Sequence, residues 1–203
     1  MKIIRDVLSE GRTILSEHES KALLREYYIP VTNEIEVFNI DSFKKAVKEI
    51  GFPLVIKGCG SKLSHKTERN LVRVDIRSEE ESVEIFDEIM LEVKDDGGAV
   101  LVQEMVKGRR ELLAGLTRDP QFGPCVMFGL GGILTEVLKD ISFRVAPLEK
   151  KDALEMMQEI NARKILEGIR GLPPADLDGI AGLPTFRQSL RTLTPHIEQD
   201  FQY

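Results

Sequence analysis

Tryptophan is absent from the 203-residue chain, and aromatic residues make up only 6% of it. A stacking platform for single-stranded nucleic acid is therefore not expected. Cysteine is scarce: Cys59 and Cys125 are the two. That excludes a disulfide framework and fits a reducing cytoplasm. Of the three histidines, His65 has no Cys, Asp or second His at ligand spacing, which argues against zinc. No apolar run approaches the ~20 residues of a membrane span. The N-terminal "MKIIRDVLSEGRT" lacks the apolar h-region of a secretion signal. Excess positive charge is missing too. The formal net charge is −6, which disfavours general binding to nucleic acid or to anionic membranes. What remains is 42% hydrophobic and 31% charged, a globular composition long enough for one domain or two small lobes. There is no internal repeat and no low-complexity tract.

Local signals outline the elements. Ser16 with Glu19 forms a capping box ahead of "ESKALLREYY", where Ala22, Leu23 and Tyr27 lie near one helical face. Asp41 is placed to cap "SFKKAVKEI", and Gly51 sits where a C′ glycine belongs. "FPLVIKG" (52–58) reads as a buried strand. "LVRVDI" (71–76) alternates, with Val72, Val74 and Ile76 on one face. Ser78 with Glu81 opens a helix through about Val93. "DDGG" is a turn, and "AVLVQEMV" (99–106) is a strand. The character changes at "KGRRE" (107–111). Strands follow in "LLAGLTRD" and "CVMFGLGG" (125–132), with a turn at "DPQFGP" between them. "ILTEVLKDISFRVAPL" (133–148) reads as one extended stretch. "EKKDALEMMQEI" (149–160) is helical, with Leu154, Met157 and Ile160 inward, and "GLPPADLDG" (171–179) is loop. The alternation of strands and helices predicts an α/β or α+β fold in two lobes that join near residues 103–108.

Several residues could carry chemistry, and each has a plainer reading beside it. Lys57 ends an apolar strand facing a glycine loop, where a lysine can reach phosphate oxygens or simply extend into water. Glu104 and Glu111 flank the change of character. They could accept ribose hydroxyls or be solvated strand-end glutamates. "FGLGG" (128–132) offers backbone N–H groups to phosphate, or makes a tight turn. If 134–144 were one strand, Glu136, Asp140 and Arg144 would share a face. That face would be a phosphate and Mg²⁺ site or a surface ion-pair ladder. His65 lies in "GCGSKLSHKTERN" (58–70). A neutral imidazole in such a loop is either a nucleophile toward phosphorus or solvated.

The order of these stretches says more than any one of them. "GRTILSEHESKALLREYYIPV", then "IGFPLVIKG", then "LVQEMVKGRRELLAGLTRDPQFGPCVMFGLGGILTEVLKDISFRVAPL" resembles the ATP-grasp family. More narrowly, it resembles the ATP-grasp part of ADP-forming acyl-CoA synthetases, relatives of succinyl-CoA synthetase. The likeness runs from about residue 10 to 178. It implies an ATP-grasp α+β fold of two lobes, 1–103 and 104–203, with nucleotide bound between them. It gives Lys57 the ATP phosphates. Glu104 takes the strand end beside adenine, with Met105 and Val106 in the hinge, and Glu111 the ribose. Gly131, Gly132 and Glu136 fall beside the phosphates. "SHKT" makes His65 a phosphohistidine, which explains a histidine in a loop that must serve two sites. Lys57, Arg144 and Mg²⁺ would neutralise the phosphoryl group. The implied reaction is acid + CoA + ATP ⇌ acyl-CoA + ADP + phosphate. The CoA-binding part would sit on an alpha-type partner subunit or a fused domain.

The chain departs from the family twice. "ERNL" follows "SHKT" in place of an acidic, glycine-containing segment. The acidic-x-Asn-Pro motif of the family's last strand has no counterpart, so the second lobe is expected to be truncated or divergent after about 178. Glu136 and Asp140 are then the carboxylates left for Mg²⁺. Two other functions fit parts of this pattern. One is a non-catalytic ATP-binding or regulatory module. The other is an ATP-grasp ligase joining a carboxylate to an amine, which would not need His65.

Overall fold

The structure, a computed structural model, describes residues 2–60, 70–108, 110–132, 138–168 and 171–183. The chain divides after Lys107 into two compact units. No helix among the described residues is long and apolar enough to cross a membrane.

The first unit holds α1 (Lys2–Ser9), α2 (Glu17–Glu26), β1 (Glu34–Val37), α3 (Ile40–Ile50), β2 (Leu54–Cys59), β3 (Val72–Ile76), α4 (Glu79–Val93) and β4 (Ala99–Glu104). Its strands form one sheet in the order β1-β4-β2-β3, every neighbour antiparallel. Side chains alternate across a strand, so Leu54, Ile56, Val100 and Val102 share a face. That face packs on α3 and α4 through Phe43, Val47, Phe86 and Ile89, with Phe43 and Phe86 stacked at 4.5 Å between centroids. Val55, Lys57, Leu101 and Gln103 occupy the opposite face by the same register.

Two of the predicted local features differ. Asn39, not Asp41, caps α3, exchanging bonds with Ser42. Asn side chains cap as well as Asp, and the helix simply begins two residues earlier. In β3 the expected alternation fails. Between Leu54 and Ile56 the partner moves three residues, from Ile76 to Arg73. This is a bulge, with Asp75 at φ +60°. It turns Val74 outward at 64% exposure, while Leu71 and Ile76 stay buried.

The second unit holds β5 (Leu112–Asp119), β6 (Gly123–Leu130), β7 (Ile141–Val145), α5 (Lys150–Glu159) and α6 (Leu177–Ala181). The strands form a meander, β5-β6-β7. Asp119 makes its first turn by accepting the N–H groups of Gln121 and Phe122 at 2.8 and 2.9 Å. One face, with Val126, Phe128 and Leu130, packs on Ala153, Met156 and Met157 of α5. The stretch 133–148 is not one strand. Leu138 is helical, Lys139 has φ +49°, and β7 begins only at Ile141. The segment read as loop at 171–179 starts α6 at Leu177, capped by Asp176.

The start of α2 is as the sequence predicts. Ser16 Oγ accepts from Glu19 N–H at 3.2 Å, and Glu19 Oε2 accepts from Ser16 N–H at 2.7 Å. Arg12 adds a two-pronged bond to Glu19, at 3.0 and 2.6 Å. The guanidinium holds the Glu19 carboxyl down at about 2, against an ordinary 4.5. A depressed carboxyl stabilises the fold above its unfolded value and stops doing so as pH falls through its folded one. Arg12→Met should therefore cost up to about 1 kcal/mol in urea unfolding at pH 7, the scale of a partly exposed ion pair. The gap to the parent should close between pH 4.5 and 2. A gap that persists unchanged at pH 2 would show that Arg12 acts through packing instead.

Candidate functional site

Helix α2 lies against the sheet with no buried residue of its own. Ala22, Leu23 and Tyr27 are half-buried, while Leu24, Arg25 and Glu26 are exposed. The helix meets the sheet face opposite α3 and α4 through a cluster of charged and polar groups. Lys57 Nζ, on β2, donates to Glu17 Oε1 at 2.8 Å and to Gln103 Oε1 at 3.0 Å. Lys21 Nζ reaches the same two oxygens, at 3.1 and 2.7 Å. It also reaches Thr32 Oγ1 at 3.0 Å and Glu34 Oε2 at 2.5 Å. The Glu34 side chain is fully buried, and its other oxygen lies 3.1 Å from His18 Nδ1. Lys57, read from the sequence as ending its strand, lies two residues short of the end of β2, on the sheet face opposite α3 and α4. Glu17, Lys21, Glu34 and Gln103 were missed. Strand alternation was the available signal, since Gln103, not Glu104, shares the Lys57 face.

Glu104 ends β4 and is used locally. Its Oε1 accepts from Asn33 N–H at 2.7 Å, and its own N–H donates to Asn33 O at 3.0 Å. Met105 and Val106 follow the strand, and Val106 is 62% exposed. Gln103 Nε2 donates to the Glu104 carbonyl at 3.3 Å, tying the strand end to the lysine pair.

In the second unit Glu111, Gly131 and Gly132 come together. Gly131 N–H donates to Glu111 O at 2.7 Å, extending the β5–β6 ladder by one step. Gly132, at φ +62°, lies under the Glu111 carboxylate, and a methyl there would come within 1.9 Å of Oε2. The three residues form one cradle of exposed carboxylate and glycine backbone at the start of β5 and the end of β6. Glycine N–H groups in such a turn can face an anion.

Asp140 and Arg144 are not on one continuous strand with Glu136, because the strand starts after Asp140. Asp140 is buried and accepts from Asn161 N–H at 2.7 Å, Asn161 Nδ2 at 3.0 Å and Ala162 N–H at 2.7 Å. Burial pushes its carboxyl up, but these donors prevail and leave it below the ordinary aspartate range. Arg144 opposes Val126 in the β6–β7 register and pairs with Glu159 of α5. That bond raises the guanidinium further and lowers the Glu159 carboxyl. No cluster of three metal-ligating side chains occurs among the described residues. His65 and Glu136 lie outside the described residues.

Each of the two units is thus built on one antiparallel sheet with helices packed on it. The family model of the ATP-grasp domain matches residues 6–199, and the chain belongs to that family. The match reaches beyond residue 178, where the resemblance visible in the motifs stops. Among curated relatives, the chain is 39% identical over 203 residues to the beta subunit of an ADP-forming acetate–CoA ligase (I) of Pyrococcus furiosus. That covers 98% of this chain and 87% of the relative. It is 40% identical over 188 residues to the beta subunit of ligase II of the same organism, covering 90% and 80%. Among solved structures it resembles the dinucleotide forming acetyl-coenzyme A synthetase 1 of Ca. Korarchaeum cryptofilum in complex with coenzyme A and Ca-AMPCP. The TM-score is 0.84 and the identity 40%, over 91% of this chain and 84% of that one. A second structure of that enzyme holds Mg-AMPPCP, with its phosphohistidine segment pointing towards the nucleotide binding site. Its TM-score is 0.79 at 40% identity, over 94% and 85%.

The contact of Gly132 with Glu111 is testable by itself. Gly132→Ala puts a Cβ at positive φ, costing about 1 kcal/mol, and displaces the Glu111 carboxylate. Urea unfolding should show a loss of about 1–2 kcal/mol. Combination with Glu111→Ala should recover the part due to collision, giving a non-additive double-mutant cycle. Strict additivity would mean the carboxylate does not rest on Gly132.

Proposed function

We infer that the chain is the nucleotide-binding, beta-type subunit of an ADP-forming acyl-CoA synthetase, working in acid + CoA + ATP ⇌ acyl-CoA + ADP + phosphate. The observation that carries this reading is the nearly end-to-end match to two beta subunits of ADP-forming acetate–CoA ligases. The geometry supports it with chemistry. Lys57 is placed as a phosphate ligand beside α2, with one donor unengaged among the described residues. Glu111, exposed beside Gly132, is a carboxylate able to accept hydroxyl donors. Glu104, Met105 and Val106 contribute strand-end backbone to the adenine edge. Arg144, paired with Glu159, would have to exchange that partner to reach a phosphoryl group.

In this reading ATP gives its γ-phosphoryl group to His65. The imidazole nitrogen forms a bond to phosphorus, the bond to the bridging oxygen breaks, and ADP leaves. The phosphoryl group then passes to the acid, which becomes an acyl phosphate and regenerates the imidazole. The thiol of CoA displaces phosphate from that intermediate. Positioning and fixed positive charge are what the chain itself must supply for such a transfer. The described carboxylates do not form a resident metal site. Asp140 is fully engaged by N–H donors, so Mg²⁺ would arrive with the nucleotide, bound mainly to phosphate and water. The acid and CoA sites fall to an alpha-type partner subunit or a fused domain. In an ADP-forming acetate–CoA ligase of Archaeoglobus fulgidus the match covers only 27% of the relative, which leaves room for such a domain. A reducing cytoplasm suits two cysteines that form no disulfide.

The test is transfer of label from γ-labelled Mg-ATP to the chain, alone and with its CoA-binding partner. Acid-labile, base-stable label is expected, absent in His65→Ala and reduced at least tenfold in Lys57→Met. Acid-stable label, or label retained in His65→Ala, would discard the phosphohistidine route and leave a ligase acting through an acyl phosphate alone.

A further inference from the structure

The lysine pair on the first sheet has an arrangement that a single phosphate ligand does not require. Lys57 and Lys21 share both of their central acceptors. Glu17 Oε1 stands 2.8 Å from one ammonium and 3.1 Å from the other. Gln103 Oε1 stands 3.0 and 2.7 Å from the same two groups. The lysines differ in what else they hold. An ammonium has three N–H donors. Lys21 meets four acceptors, the two shared ones plus Thr32 Oγ1 and the buried Glu34 Oε2. Its donors are all engaged. Lys57 meets only the two shared oxygens among the described residues, so one donor is left to point elsewhere. A lysine stem has four rotatable bonds and loses rotamer entropy on being fixed. Two acceptors held from behind by a second, saturated cation fix that stem before any ligand arrives.

We propose that Lys21 is a positioning residue for phosphate binding, holding Glu17 and Gln103 so that the remaining donor of Lys57 is presented to a nucleotide phosphate. The inference rests on the reading of Lys57 as a phosphate ligand. Lys21 touches no phosphate itself. It is anchored to Glu34, and through Gln103, whose Nε2 donates to the Glu104 carbonyl, the same cluster ties Lys57 to the end of β4. The base ligand and the phosphate ligand are thereby held in one register.

The test uses the full chain, with ADP and adenosine as probes in calorimetric or NMR titrations. Lys57→Met should weaken ADP by about tenfold or more and leave adenosine unchanged. Lys21→Met strands the buried Glu34 carboxylate, so Lys21→Met/Glu34→Gln serves beside it, with thermal melting to confirm the fold. This pair should also weaken ADP about tenfold, spare adenosine, and add nothing when Lys57 is already Met. A further tenfold loss on the Lys57→Met background, or an equal loss for adenosine, would overturn the positioning role. ADP affinity lost in Lys57→Met but kept in the Lys21 variant would overturn it alone. ADP affinity unchanged in Lys57→Met would remove the phosphate role of Lys57, and this inference with it.

Discussion

A carboxylate with no solvent exposure governs the first unit. Glu34 is placed by β1 on the sheet face that α3 and α4 leave open. Charge taken out of water costs several kcal/mol unless partners answer it closely. Lys21 at 2.5 Å and His18 at 3.1 Å are those partners, and both stand on α2. The helix buries no side chain completely, so charge, more than apolar area, fixes where it lies. Its capping box and the Arg12–Glu19 pair then set where the first turn begins, and hence where Glu17 falls. One of the two acceptors that hold the Lys57 ammonium is therefore set by a helix start 40 residues earlier. Removing one partner would leave the other charge buried and uncompensated, which is why such clusters change as a set or not at all.

How much of this the sequence disclosed follows from the range of each interaction. The helices with local caps at Ser16 and Ser78 were legible, because a cap is a contact over three residues. So was the run of β2, β4, β5 and β6, written in short apolar stretches. Lys57, Glu111 and the two glycines stood out because a charged residue or a Gly pair at a strand end is a local anomaly. What failed was parity. Asp75 adds one residue to β3, and a single added residue turns every following side chain to the other face. The turn at Lys139 likewise broke the apparent strand on which Glu136, Asp140 and Arg144 were to line up. Lys21 and Gln103 escaped for a different reason. They lie 82 positions apart, and nothing near either one names the other.

The carboxylates Asp140, Glu104, Glu34 and Glu111 also differ in what they can still do. A carboxylate that accepts two or three N–H bonds has its lone pairs committed and its charge stabilised in place. Asp140 is of this kind, and its three donors pin the turn after α5 to the start of β7. Glu104 is partly so, since one oxygen fastens β4 to Asn33. Glu34 is committed to cations. Glu111 is the exception. No donor among the described residues reaches its carboxylate, it is exposed, and it lies over Gly132, which brings no side chain. An unengaged carboxylate beside accessible backbone is suited to a ligand that offers hydroxyl donors, and a ribose offers two on adjacent carbons. The division between structural and ligand-facing acids therefore follows from donor counting alone. It leaves Glu111 able to meet a ligand and gives Asp140 to the fold.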